Sequence, residues 1–184
     1  IYQCDWSSDV CSSDLRVTPE LKKEILAVIS SKESLNCYAI PRSSWYCGRF
    51  MKHSGWYPDY VDRLFKRGTA KFSDHLVHER LLPSGSVGQL QNHFLHYSFK
   101  DFSQVLKKID AYSTASAEQA HLKGKRSSVG KAVGHGLWAF FRTYVLRLGF
   151  LDGAQGLALA ISNAEGTYYR YIKIWLLEQS GKSK

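Results

Sequence analysis

With 184 residues, 44% hydrophobic and 22% charged, the chain has the composition of a globular protein, long enough for one domain or for a domain and a tail. Its formal charge is +9, and the three acids among the first fifteen residues (Asp5, Asp9, Asp14) leave 25 basic against 13 acidic residues, or +12, in the remainder. Such a balance calls for an anionic partner, whether membrane surface, nucleotide sugar, phosphorylated glycan or nucleic acid, while four cysteines without a CxxC pair exclude a finger-like zinc site.

Residues 1–15 show no helical or strand periodicity and repeat Ser-Ser-Asp. They resemble the conceptual translation of an adapter oligonucleotide joined to a shortened reading frame, and are set aside as a non-native leader. Thr18 then predicts a helix cap, with Pro19 at the first helical position and Glu20 in the first turn. Leu21, Ile25, Val28 and Ile29 form its apolar face, and the helix is expected to end near residue 32. Residues 36–40 read as a strand that Pro41 brings to an edge or loop. Residues 45–51 read as a second extended piece bent at Gly48.

After the Gly55-Trp-Tyr-Pro58 turn, strands are predicted over 60–66, 70–72, 76–82, 87–90 and 94–97, with turns at Arg67-Gly68 and Pro83-Ser-Gly85. Residues 100–121 read as a helix with Phe102, Val105, Leu106, Ile109 and Tyr112 on one face. The basic stretch 123–128 marks the expected boundary between a core of residues 16–122 and a tail of 123–184. Ten Lys and Arg face three acids over 121–184, and the longest charge-free apolar run is 153–164. Twelve residues are too few to cross a bilayer, for which about 18 are needed. They suit amphipathic helices lying against anionic lipid, or core helices packed on the domain before them. No signal peptide is predicted, and cysteine usage points to a reducing cytoplasm.

Residues 53–79 gather aromatics, a proline, two arginines and acids into one stretch. Aromatic faces stack on sugar rings, arginines fork onto phosphate oxygens, and a carboxylate takes a hydroxyl proton. Trp56, Tyr57 and Asp59 form a loop suited to sugar stacking and hydroxyl recognition, or a plug into the core. Arg63 and Arg67 suit a phosphate, or the solvated flank of a hairpin. The isolated His53 and His96 fit core or supporting roles.

The pattern His53-x-Gly-Trp-Tyr-Pro-Asp59, Arg63-Leu-Phe-x-Arg-Gly68, Phe72, Leu76-Val-His-Glu79, Gly88-x-Leu90 and His96-Tyr-Ser98 resembles glycosyltransferase family 2. Within it, the likeness is to the bacterial lipopolysaccharide inner-core enzymes that add a β-linked glucose to heptose. Leu137-Trp-x-Phe-x-Arg-Thr-Tyr144, Gly149-Phe-Leu-Asp-Gly153, Gly156 and Tyr171-x-Lys-x-Trp175 extend it through the tail. The resemblance implies an α/β protein of the GT-A, Rossmann-like fold that transfers sugar with inversion from a nucleoside diphosphate donor to a lipid-linked saccharide. It implies Glu79 as the catalytic base. His78 alternates with Glu79 and takes an orienting or metal-ligand role, or that of a core histidine. The family holds Mg²⁺ or Mn²⁺ on an Asp-x-Asp segment just before the counterpart of Arg16-Val-Thr-Pro-Glu-Leu21. Here Ser12-Ser-Asp-Leu15 stands in that place, so no metal ligand is assigned and Asp14 does not take the role.

The expectation is therefore the acceptor-side half of a transferase, inactive as it stands. It would be peripheral on the inner face of the cytoplasmic membrane, with no nucleic acid partner. The other reading is a non-catalytic basic module that binds anionic membrane or nucleic acid.

Overall fold

A computed structural model describes residues 2–4, 14–72 and 81–182. In chain order the elements are β1 (Tyr2–Cys4), β2 (Leu15–Val17), α1 (Pro19–Ser30), β3 (Cys37–Tyr46), β4 (Arg49–Phe50), β5 (Asp59–Lys66), β6 (Ala70–Phe72), β7 (Leu81–Pro83), β8 (Val87–Gln89), β9 (Phe94–Phe99), α2 (Phe102–Leu122), α3 (Val129–Phe141) and α4 (Gly153–Lys182). A π-helical turn, Arg142–Leu146, and a 3₁₀ turn, Gly149–Asp152, lie between α3 and α4. The protein is mixed α/β, as expected at the level of class. It divides into two compact units, residues 1–45 with 56–98, and residues 46–55 with 99–184.

The first unit is built on a sheet in the order β1-β5-β3-β9-β2, with β8 beside β3 and β6-β7 as a separate ribbon. The sequence predicts α1 well. Thr18 caps it through its Oγ1, which accepts from the Leu21 N–H at 3.1 Å, and Leu21, Ile25 and Val28 pack on Leu15, Tyr38, Ile40, Leu64, Leu90 and Phe94. Ile29 falls past the edge of that stripe and stays exposed. Leu15, the last residue of the expected leader, is buried and pairs with His96 on β9, and β1 pairs antiparallel with β5.

Pro41 does not end its strand. β3 runs on to Tyr46, with Pro41 opposite Tyr60 of β5. The parallel partner β8 reaches only to Ala39, so the missing N–H falls beyond that ladder, where a proline is tolerated. β6 pairs antiparallel with β7 (Phe72 opposite Leu81). The strand expected over 76–82 is present at 81–82, and its earlier part lies outside the described residues.

The second unit is helical apart from residues 46–55. Asp101 caps α2 by accepting from the Gln104 N–H at 3.0 Å, and Ser128 caps α3 by accepting from the Lys131 N–H at 3.2 Å. The face predicted for α2 packs only in part: Val105 and the half-buried Ile109 belong to it. Val105, Ser113, Ala117 and Ala120 are buried, whereas Phe102, Leu106 and Tyr112 are exposed. Small side chains let α2 approach Ile174 and Tyr171 of α4 closely. This packing joins α2 to the tail helices, and the compact units divide at residues 98/99.

Candidate functional site

Two polar groupings occupy the motif region, one in each unit. In the first unit, Arg42 midway along β3 stands directly opposite Asp59, the first residue of β5. Strand register thus fixes the pair. The Arg42 Nε donates to Asp59 Oδ2 at 2.9 Å, and Nη2 donates to the same oxygen. Both groups remain partly open to solvent, and Oδ1 receives neither bond. Just before Asp59 the Tyr57–Pro58 peptide is cis. The Tyr57 ring meets His93 edge-on, with centroids 5.9 Å apart, and Trp56 is half-buried. A carboxylate held by arginine through one oxygen, with aromatic rings in the adjoining loop, can accept a hydrogen bond from a sugar hydroxyl on the other while a ring face covers the sugar.

The other predicted residues separate. Arg63 is only 4% exposed on β5, so it is enclosed within the unit and does not present its guanidinium to solvent. Arg67 is exposed at the turn after β5. His78 and Glu79 lie outside the described residues. His96 has its Nδ1 3.1 Å from Ser44 Oγ and 2.8 Å from Ser98 Oγ, two hydroxyls that orient its ring.

Burial pushes the Asp62 carboxyl above its usual range. Burial and then the Asp62 charge push the Cys37 thiol up to about 11. Cys37 therefore stays protonated at neutral pH and is no nucleophile.

In the second unit the centre is Asp152, which is 0% exposed. Its carboxylate accepts the backbone N–H groups of Lys52 (3.2 Å) and His53 (2.8 Å), and His53 Nδ1 lies 3.3 Å away. Arg49 donates to the Asp152 carbonyl at 2.9 Å and places Nη2 3.5 Å from its carboxylate. The Ser54 N–H donates to the Arg147 carbonyl at 2.8 Å, and the Tyr46 hydroxyl lies 3.1 Å from Ser162 Oγ. One buried acid therefore pins the arm 46–55 to the turn before α4, and His53 has the supporting role expected of it. Close approach here depends on glycine: a Cβ on Gly156 would sit 1.9 Å from the Gly149 carbonyl oxygen.

The motif stretch thus belongs to both units, residues 53–55 to the second and 56 onward to the first. Sequence reasoning missed Arg42 and Asp152. Asp152 was visible in the Gly149-Phe-Leu-Asp-Gly153 motif, but nothing local gives it a role. Among the described residues no three His, Cys, Asp or Glu side chains gather as a metal site. Asp59 is committed to arginine and Asp152 is enclosed by N–H donors, so neither fits a divalent cation, which needs several open oxygen ligands.

No family model matches the chain, and no solved structure does. The chain is similar to a protein of Rickettsia conorii described as an uncharacterized glycosyltransferase, at 30% identity over 101 residues. The matched segment covers 55% of this chain and 35% of that relative. The similarity suggests glycosyl transfer in general terms.

Proposed function

We propose that the chain supplies the acceptor-side half of an inverting glycosyltransferase of the family 2, GT-A type, which moves glucose from a nucleotide sugar to a lipopolysaccharide core or similar lipid-linked saccharide. The observation that carries the glycosyl-transfer part of this reading is the partial similarity to an uncharacterized glycosyltransferase. The open Asp59–Arg42 pair beside Tyr57 supports it.

In this reading Asp59 holds an acceptor hydroxyl, Trp56 and Tyr57 cover sugar faces, and exposed Arg67 meets a phosphate of donor or acceptor. Arg63, being enclosed, and His78 serve to position other groups. Transfer is one displacement. The acceptor oxygen bonds to the anomeric carbon, the bond from that carbon to the diphosphate oxygen breaks with its electron pair leaving on the nucleoside diphosphate, and the hydroxyl proton passes to Glu79. The donor half supplies the nucleotide pocket and the Mg²⁺ or Mn²⁺ ligands. Both substrates place the enzyme on the inner face of the cytoplasmic membrane.

The test joins this chain to a family 2 donor half and measures transfer to a heptose-containing core oligosaccharide. Glu79→Gln is expected to lower kcat by roughly 10²–10⁴-fold while leaving the donor Kd unchanged. Turnover like that of the unsubstituted protein removes Glu79 as the base. Tight, salt-sensitive binding to RNA, with no affinity for the oligosaccharide, favours the non-catalytic reading.

A further inference from the structure

The α3 segment of the second unit is packed inside out. Along α3 and the π-helical turn, the buried positions are Ala132, Gly136, Ala139 and Thr143, spaced by three or four residues on one helix face. Against them on α4, a Cβ on Gly136 would come within 3.3 Å of both the Ala164 carbonyl oxygen and Tyr168 Cβ, and Asn163 Nδ2 donates to Thr143 Oγ1 at 3.3 Å. The large apolar side chains point the other way. Leu137 is 67% exposed and Trp138 54%, and Phe141, Leu146, Phe150 and Leu151 are exposed with them. In water, burying large residues and exposing small ones is the favourable arrangement. The reverse arises where the surroundings themselves are apolar and helices are held together by close packing of small residues.

Charge says which surroundings. Across residues 121–164 there are six Lys and Arg and one acid, Asp152, which is fully enclosed. Within residues 121–164 the exposed charges are therefore cations alone. The cations also limit depth. Lys131 and Arg142 bracket ten residues of α3, about 15 Å of helix against a hydrocarbon core of about 30 Å. No single helix among the described residues is long and apolar enough to cross a membrane. The segments Val129–Leu146 and Gly149–Ser180 pass the length and composition criteria only as a pair, bent by 71°.

We propose that the second unit seats on an anionic lipid bilayer through this outward face, with Leu137, Trp138, Phe141, Leu146, Phe150 and Leu151 entering the interfacial layer and Lys131 and Arg142 meeting lipid phosphates. The seat does not cross the bilayer. It rests on the exposure pattern of one unit and stands or falls apart from the transferase reading.

The experiment is flotation of the full 184-residue chain with mixed phosphatidylglycerol–phosphatidylcholine vesicles, with pure phosphatidylcholine vesicles alongside. The chain is expected to float with the anionic vesicles and to partition at least roughly tenfold more weakly onto the neutral ones. The double variant Leu146→Glu/Phe150→Glu alters only exposed positions, and its fold is checked by circular dichroism and thermal melting. It is expected to lose roughly tenfold or more of the partition. Lys131→Ala/Arg142→Ala is expected to lose binding selectively to the anionic vesicles. Failure to float, equal partition onto neutral lipid, or undiminished binding by the folded glutamate variant each overturns the proposal. So does a concentration-dependent dimer that the glutamate variant dissociates while neither protein binds vesicles, since the face would then be covered by a second copy.

Discussion

The first unit and the α3 segment of the second solve the problem of burial in opposite ways. The first hides large side chains, among them Leu21, Tyr38, Ile40, Leu64 and Phe94, and keeps its Arg42–Asp59 pair at the solvent edge. The second unit's α3, its turns and the start of α4 hide Ala132, Gly136, Ala139, Gly149 and an aspartate, and turn leucines, phenylalanines and a tryptophan outward. A large-residue core tolerates chemistry at its margin, because its stability comes from apolar area removed from water. A small-residue interface has less area to draw on, so it depends on close backbone approach and on satisfying every polar group it encloses.

The sharpest way to break that contrast is to remove one carboxylate from each unit. Asp152→Ala strands the Lys52 and His53 N–H groups and removes the carboxylate beside Arg49, whose bond to the residue-152 carbonyl remains. The expected loss is about 3–5 kcal/mol, as for breaking a buried charged network. Asp59→Ala opens a pair that water already reaches and should cost about 0–1 kcal/mol. Urea unfolding monitored by tryptophan fluorescence gives both values. A loss below about 1 kcal/mol for Asp152→Ala would mean that the second unit does not depend on its buried acid.

A smaller effect separates the two sides of the helical packing. At Gly156 an added methyl would fall 1.9 Å from the Gly149 carbonyl oxygen, while at Gly134 it would meet nothing within 4 Å. Gly156→Ala is expected to destabilise by about 1–3 kcal/mol through overpacking. Gly134→Ala, on an open helix face, should stabilise by roughly 0.5–1 kcal/mol through helix propensity. Thermal melts of the two variants check the signs. If both stabilise, the close crossing at Gly149 is not needed for folding.

The same contrast explains which parts were legible in the sequence. In the first unit, helix and strand signals and core packing agree: Thr18-Pro19-Glu20 starts a helix, and Leu21, Ile25 and Val28 mark its buried face. In α2 Val105 packs as its periodicity predicts, but Phe102, Leu106 and Tyr112 of the same stripe are exposed and Ser113, Ala117 and Ala120 complete the packed face. Hydrophobicity does not announce an interface made of small residues. The polar sites were hidden for another reason. Arg42 meets Asp59 across 17 residues and Asp152 meets His53 across 99, so strand register and helix docking create the partners, and no local pattern carries them. The loop at Trp56, Tyr57 and Asp59 was visible as a rigid aromatic turn. Arg63 was visible as a charge, yet only the fold shows that it is enclosed.

The smallest expected effect tests whether the first unit's tolerance of edge chemistry extends one strand position inward. Asp62 lies on β5 opposite Ala39, and burial raises its carboxyl above the ordinary value of 3.8. A raised carboxyl means that folding disfavours the ionised form. The protonated side chain's contribution is therefore fully present below pH 3.8, the unfolded value, and is lost as pH rises through the folded value. Asp62→Asn keeps the shape and removes the charge. At pH 7 it should stabilise the protein on the order of 0.5 kcal/mol or less, and the gain should shrink as pH falls toward that of the unfolded carboxyl. The Cys37 thiol, pushed up partly by the Asp62 charge, should titrate at lower pH in the variant, as thiol-reactivity profiles would show. A gain that is flat with pH would assign the effect to packing. A thiol that does not move would separate Cys37 from Asp62 and leave burial alone as the cause of its inertness.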